Sequence, residues 1–118
     1  MNKILLTGST GFVGKNILKS GVLNDFSVLT PSSSKLNLLD KIAVKNYIQK
    51  NSPDLIIHSA GKVGGILKNI NSNYEFLLDN SLMAINLISE SVNSGVKNFL
   101  NISSSCIYPS NYETPIKE

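Results

Sequence analysis

TGSTGFVG, residues 7–14, is the stretch from which the rest of the chain is read. It follows a short apolar run, Ile4, Leu5 and Leu6, and leads into a helix-like segment carrying Val13, Ile17 and Leu18. Strand, glycine turn and helix in that order bring backbone N–H groups and a helix N-terminus to one point, an arrangement suited to a phosphate. The expected ligand is a nucleotide. Gly8 is expected to make the tight turn off the strand, Gly11 to let the backbone approach a pyrophosphate, and Gly14 to let the helix lie close on the sheet. The spacing is G-x-x-G-x-x-G and departs from the G-x-G-x-x-G fingerprint. A Walker loop is set aside, because Ser9 stands where its leading glycine belongs and Asn16 where its magnesium-binding hydroxyl belongs.

The chain has 118 residues, of which 42% are hydrophobic, enough for one domain with a modest core. Nothing in the sequence resembles a signal peptide, and no apolar run approaches the roughly 20 residues that a bilayer requires, so the expected location is cytoplasmic and no membrane partner is expected. A single cysteine forms neither an intramolecular disulfide nor a zinc site, in keeping with a reducing compartment. The formal charge of +3 is spread along the chain and suits an anionic small ligand; nucleic acid is not an expected partner.

Outward from the glycine turn, the first helix should end near Gly21 as a left-handed cap. FSVLT, residues 26–30, reads as a second strand stopped by Pro31. No acidic residue stands at its end to take the ribose 2′-OH of NAD. Ser32, Ser33, Ser34 and Lys35 stand there instead, which favours a 2′-phosphate and hence NADP, NAD not being excluded; a plain serine-rich loop is the other reading. Asp40 sits at an N-cap position for a helix to about Lys50, with Ala43 and Tyr47, and Val44 and Ile48, at helical spacing. DLIIH, residues 54–58, reads as a buried parallel strand, ending at the chain's one histidine. His58 is either a hydrogen-bonded residue at a strand terminus or a catalytic group with no partner visible in the sequence.

Residues 59–71, SAGKVGGILKNIN, are small and basic and fall beyond the carboxyl end of a strand, where α/β sheets bind ligands. Lys62 is there either as a ligand for a cofactor ribose or phosphate or as an ordinary exposed lysine. Ser72 and Glu75 have capping-box spacing, and Tyr74, Leu78, Leu82, Ile85, Ile88 and Val92 share one face of a long helix ending at Gly95. Those six are expected in the core. Asn80 and Asn86, poor helix formers, are either polar contacts or solvent-facing. Residues 96–102 give a fourth strand, followed by SSSCIYP, in which Cys106 reads as a thiol at the ligand crevice or as a small buried hydrophobe. The alternation of strands and helices specifies an α/β fold, a Rossmann-type doubly wound parallel sheet truncated after about four strands.

Taken together these motifs resemble the extended short-chain dehydrogenase/reductase family, and AGKVGGI (residues 60–66) and SSCIYP (residues 104–109) resemble its GDP-L-fucose synthase branch; LNLLD (36–40) and PIKE (115–118) fall in the same order. The resemblance spans essentially the whole chain and would cover about the first third of such an enzyme. It implies an NADPH-dependent epimerase/reductase converting GDP-4-keto-6-deoxymannose to GDP-L-fucose, with a GDP-sugar as substrate and a homodimeric parent protein. By the same resemblance Gly8, Gly11, Phe12, Val13 and Gly14 would hold the pyrophosphate, Thr10 would be a further cofactor-binding residue, Asp40 would lie by the adenine, and Ala60, Gly61 and Lys62 would border the ribose and nicotinamide. Ser104 would hydrogen-bond the substrate's 4-keto oxygen and Cys106 would act in proton transfer at the neighbouring sugar carbons.

The sequence departs from that pattern in Ser103, which stands where glycine is usual, and in lacking arginines for a 2′-phosphate. The family's Tyr-x-x-x-Lys pair is also missing: four residues after Tyr47, Tyr74, Tyr108 and Tyr112 stand Asn51, Leu78, Tyr112 and Ile116. Residues 1–118 are therefore expected to be the N-terminal part of an NAD(P)-binding domain without its substrate domain, inactive alone, with the fourth strand left as an exposed edge prone to self-association. Another nucleotide-sugar epimerase or dehydratase, or a non-catalytic dinucleotide-binding module, are the alternatives.

Overall fold

A computed structural model describes residues 2–104, 107–109 and 111. Strands and helices alternate as β1 (Lys3–Thr7), α1 (Phe12–Lys19), β2 (Ser27–Leu29), α2 (Lys41–Asn51), β3 (Leu55–His58), α3 (Ile66–Asn93) and β4 (Asn98–Asn101). The strands are parallel and lie in the order β2-β1-β3-β4. The expected doubly wound α/β sheet is present, each strand lies within its expected span to a residue or two, and β4 forms one edge.

Side chains alternate across the strands and so divide the core into two layers. Leu5 and Ile56 point to the side covered by α2 and α3, where they meet Leu36, Leu38, Val44, Ile48 and Leu87. Ile4, Leu6 and Ile57 point the other way, against Ile17, Leu23, Phe26 and Val28. Helix α2 starts at Asp40, whose Oδ1 accepts from the N–H groups of Ile42 at 2.9 Å and Ala43 at 3.0 Å. It buries Val44 and Ile48, one turn apart, and stops where Ser52 adopts a left-handed φ of 45° just before Pro53.

The amino end of the sheet is tied by Asp54. Its Oδ2 accepts from the backbone N–H of Asn2 (2.9 Å) and Lys3 (3.0 Å), and its own N–H donates to the Lys3 carbonyl (2.8 Å). Those two backbone hydrogen bonds hold the Asp54 carboxyl below the usual carboxylate range. Lys3 Nζ in turn donates to the Asn51 carbonyl at 2.7 Å, placing a cation at the negative end of α2.

Helix α3 is two helical segments joined across a kink at Ser72, which has the non-helical φ −132° and ψ 28°; the helix expected from Ser72 is the second of them, and the segment from Ile66 was not expected. Residues 66–71 complete their turns without burying anything, which is why no apolar pattern announced them. The expected core face is also wrong. Tyr74, Leu78, Leu82, Ile85, Ile88 and Val92 are between 38% and 72% exposed, whereas Phe76, Asn86, Leu87, Glu90 and Ser91 are buried. The more uniformly apolar side faces outward, and the side that packs inward combines the apolar Phe76 and Leu87 with the polar Asn86, Glu90 and Ser91. Asn86, Glu90 and Ser91 are tolerated there because each has a partner: the Leu38 carbonyl, Lys41 and the Leu87 carbonyl. Among the described residues no helix is long and apolar enough to cross a membrane.

The two faces of α3 predict opposite responses to truncation. Leu87→Ala should cost about 2–5 kcal/mol of folding stability, and Ile85→Ala less than about 0.5 kcal/mol. Urea unfolding of the two variants beside the parent protein measures both; a large loss at Ile85 would return that face to the core.

Candidate functional site

A cavity of about 360 Å³ opens at the carboxyl ends of the first three strands. Its walls are the glycine turn (residues 7–10), the segment after β2 (Pro31 to Ser33 and Leu36 to Leu39), the loop after β3 (Ala60 to Lys62), and Asp79 and Met83 of α3. From β1 the chain runs to β2 on one side and then lays β3 on the other. The crevice at that reversal is where open α/β sheets receive ligands.

The glycine turn is fixed by lack of space. Gly8 has φ +72°, and a Cβ on it would stand 2.5 Å from the Ala60 nitrogen and 2.6 Å from the Ser59 carbonyl carbon. Gly14 is buried, but its close neighbours are the turn's own backbone: a Cβ would meet the Gly8 oxygen and stand 2.7 Å from Ser9 Cα. It lets α1 pack on the glycine turn, where the sequence had suggested packing on the sheet. Gly11 donates its N–H to the Gly8 carbonyl at 2.9 Å, and as N-cap it brings α1 no capping side chain. The helix start is therefore left to an external acceptor. Thr10 lies on the cavity wall, whereas Gly11, Phe12, Val13 and Gly14 do not; the Phe12 side chain is 85% exposed.

Facing the turn, Thr7 and His58 are register partners in β1 and β3. Thr7 Oγ1 and His58 Nδ1 are 2.8 Å apart, and Ser59 donates to the Thr7 carbonyl through its Oγ at 2.7 Å and its N–H at 3.3 Å. His58 is 5% exposed, and its ring centroid is 6.5 Å from that of Phe99. Burial lowers its pKa. Of the two readings of His58, the hydrogen-bonded strand terminus is the one seen.

Both mid-helix asparagines are polar contacts, and each supports one wall. Asn80 pairs with both backbone groups of Lys62, accepting its N–H at 2.7 Å and donating to its carbonyl at 2.9 Å. Asn86 donates to the Leu38 carbonyl at 3.0 Å. The Lys62 side chain reaches α3 as well, with Nζ 2.7 Å from Asp79 and 3.6 Å from Glu75. The hydrogen bond to Asp79 is the main reason its pKa is raised. Lys62 thus lies on the cavity wall, as a cofactor ligand would, with its charge matched by two carboxylates in the free chain.

Ser32 and Ser33 line the cavity, and Ser32 and Ser34 share a hydroxyl contact of 2.9 Å. Asp40 lies one residue beyond the cavity segment and uses its carboxylate to cap α2. Ser104 is exposed after β4, its carbonyl accepting the Ile107 N–H at 3.2 Å, and is not a wall of this cavity. Cys106 lies outside the described residues, as do residues 112–118. Sequence reasoning missed Asp79, Met83 and the segment from Leu36 to Leu39; the alternating Leu36 and Leu38 were the only local sign of a buried wall there.

The pattern of the NAD dependent epimerase/dehydratase family matches residues 4–118. Over 116 residues the chain is 44% identical to GDP-L-colitose synthase of Yersinia pseudotuberculosis and 41% identical to GDP-L-fucose synthase of Azorhizobium caulinodans. Each alignment takes in 98% of this chain and 38% and 37% of those proteins, so the chain spans less than two-fifths of their length. The solved GDP-L-fucose synthetase of Naegleria fowleri bound to NADP superposes with a TM-score of 0.81 at 30% identity, over 98% of this chain and 35% of that one. The resemblance to GDP-L-fucose synthases read from the sequence holds in these relatives.

The two asparagines should differ in consequence. Asn86→Ala leaves the buried Leu38 carbonyl without its donor and should cost about 1–3 kcal/mol of stability. Asn80→Ala exposes the Lys62 backbone to water, which can replace the lost bonds, so stability should fall by less than about 1 kcal/mol while residues 61–63 exchange their amide hydrogens faster. Equal losses in chemical unfolding, or unchanged exchange at Lys62, would contradict this division.

Proposed function

Because the chain belongs to the NAD dependent epimerase/dehydratase family, we propose that its cavity receives the adenosine and pyrophosphate part of NADP and that the protein acts as a nucleotide-sugar epimerase/reductase. The observation that carries this is the seating of Gly8 on the Ser59–Ala60 backbone, where even a methyl group has no room. Such a contact places peptide N–H groups, without intervening side chains, at a helix start that no side chain caps.

In this reading the turn from Gly8 through Gly14 holds the pyrophosphate, with Thr10 beside it. Ser32 and Ser33, on the opposite wall, meet the 2′-phosphate, and Ala60, Gly61 and Lys62 border the ribose and nicotinamide. Asp40 stays near the adenine end as the cap of α2. A polyanion entering the cavity competes with Asp79 for Lys62. The dinucleotide, when bound, supplies a hydride. Ser104 donates a hydrogen bond to the keto oxygen of a GDP-4-keto-6-deoxy sugar, and Cys106 exchanges protons at the carbons flanking that ketone, whose C–H groups the polarised carbonyl acidifies. The relatives named for GDP-L-fucose and GDP-L-colitose synthesis support a GDP-sugar as substrate. The reading includes a homodimeric parent protein in the cytoplasm. The 118 residues alone hold no Tyr-x-x-x-Lys pair, and by themselves they bind the dinucleotide without turning over the sugar.

Titration of the protein with NADPH and with NADH, followed by nucleotide fluorescence, tests the cofactor. NADPH should bind about tenfold more tightly, as one charge-assisted contact to the 2′-phosphate provides, and the double variant Ser32→Ala/Ser33→Ala should erase the difference. Binding of neither nucleotide would overturn the site; equal binding of both would overturn the choice of NADP.

A further inference from the structure

We propose that His58 is a positioning residue for the glycine turn: an uncharged imidazole between β1 and β4 fastens Thr7, and with it keeps Gly8 seated on the Ser59–Ala60 backbone. The turn opens when the ring takes up a proton. For its ligand the inference rests on the dinucleotide reading above; the fastening itself is a property of the free chain.

Thr7 is the last residue of β1 and the residue before Gly8, so the position of its side chain and carbonyl sets where the turn begins. Both are held from the carboxyl end of β3, the hydroxyl by His58 Nδ1 and the carbonyl by Ser59, the residue after the strand. A Thr7–Nδ1 contact is satisfied by either neutral tautomer, because the hydroxyl can donate or accept. A second proton adds a charge, and a buried charge needs a counter-charge or water. Among the described residues neither is in contact with the ring: from β1 it meets the Thr7 hydroxyl and from β4 the Phe99 ring, neither of them charged. The carboxylates of α3 are committed elsewhere, Asp79 and Glu75 to Lys62 at 2.7 and 3.6 Å and Glu90 to Lys41 at 3.6 Å. The protonated ring therefore reaches water by leaving its buried place on the sheet face, and Thr7 loses its partner as it goes.

The direction of the pH effect follows. Burial lowers the ring's pKa below the ordinary 6.5, so the unfolded or opened chain binds the proton more readily than the closed one. Closure is complete above 6.5 and is lost as the pH falls from there through the lowered pKa. A solvent-facing histidine at a strand end would leave the turn indifferent to pH across that range.

With only one histidine in the chain, its ring signal in a proton–carbon NMR titration needs no assignment. The same samples give amide exchange for residues 8–14 and, with NADP as the acid-stable probe, the dissociation constant. In the parent protein, between about pH 7.5 and 5.5, turn protection and NADP affinity should fall together by roughly fivefold or more, with the midpoint of ring titration and below 6.5. His58→Asn keeps an amide at the Nδ1 position and cannot titrate, so its turn protection relative to the intrinsic exchange rate should stay level; the phosphate's own titration is common to both proteins and cancels in their ratio. A ring that titrates at or above 6.5, turn protection indifferent to its protonation, or the same pH dependence in His58→Asn would each overturn the proposal. Should the variant not fold, coincidence of the ring and turn midpoints in the parent protein decides. Loss of turn protection without any NADP binding would sink the cofactor reading and leave the positioning role standing.

Discussion

The architecture depends on one close approach, the Gly8 backbone lying directly on the backbone of Ser59 and Ala60. Two strand ends from distant parts of the sequence meet there without a side chain between them. The contact fixes the angle at which α1 leaves the sheet, because Gly14 must clear the same turn. It also sets the floor of the cavity. Dispersion and hydrogen bonding at such a contact are individually small; its importance is steric, since a Cβ at Gly8 has backbone and not a yielding side chain in its way.

If the contact is the floor, α3 is the frame that holds the walls. Asn80 pairs with the Lys62 backbone and Asn86 with the Leu38 carbonyl, so one helix fixes both loops to a common reference. The buried Asn86–Leu38 bond tolerates little displacement, because moving one group leaves the other unsatisfied, while the exposed Asn80–Lys62 pair orients its loop through two bonds to one residue's backbone; apolar contacts slide at low cost. The directional bonds set where the walls stand, and Leu87 with its apolar neighbours supplies the attraction that keeps the helix against the sheet.

Most of this fold is legible in the sequence because its signals are local. The turn at Gly8, the cap at Asp40 and the left-handed glycines 21 and 95 each act through chemistry within a few residues, and each is found in place. Orientation of α3 is not local. A pattern rule sends Ile85 inward and Glu90 outward, and the structure does the reverse because Glu90 finds Lys41 on another helix. Asn80 is recognisable as a polar residue in a helix, but the atoms it serves lie 18 residues earlier in the chain. The cavity is likewise half legible: its glycine wall has a motif, while Leu36 to Leu39 and Asp79 become walls only through the packing of α3.

The tie between Asp54 and the amino end of β1 has a consequence for how the chain is made. β1 is made before β3, and its backbone partners at Asp54 and along β3 arrive some 51 residues later, so until then one of its long edges is unpaired. A parallel strand cannot close on a neighbour through a hairpin, so β1 and β2 alone make a poor template. The glycine turn, which needs Ser59 and Ala60 beneath it, cannot form earlier than β3 does. The apolar segment Ile4, Leu5 and Leu6 consequently keeps one strand edge open while the residues up to Asp54 are made, and an open apolar edge of that kind is where a nascent chain is exposed to aggregation.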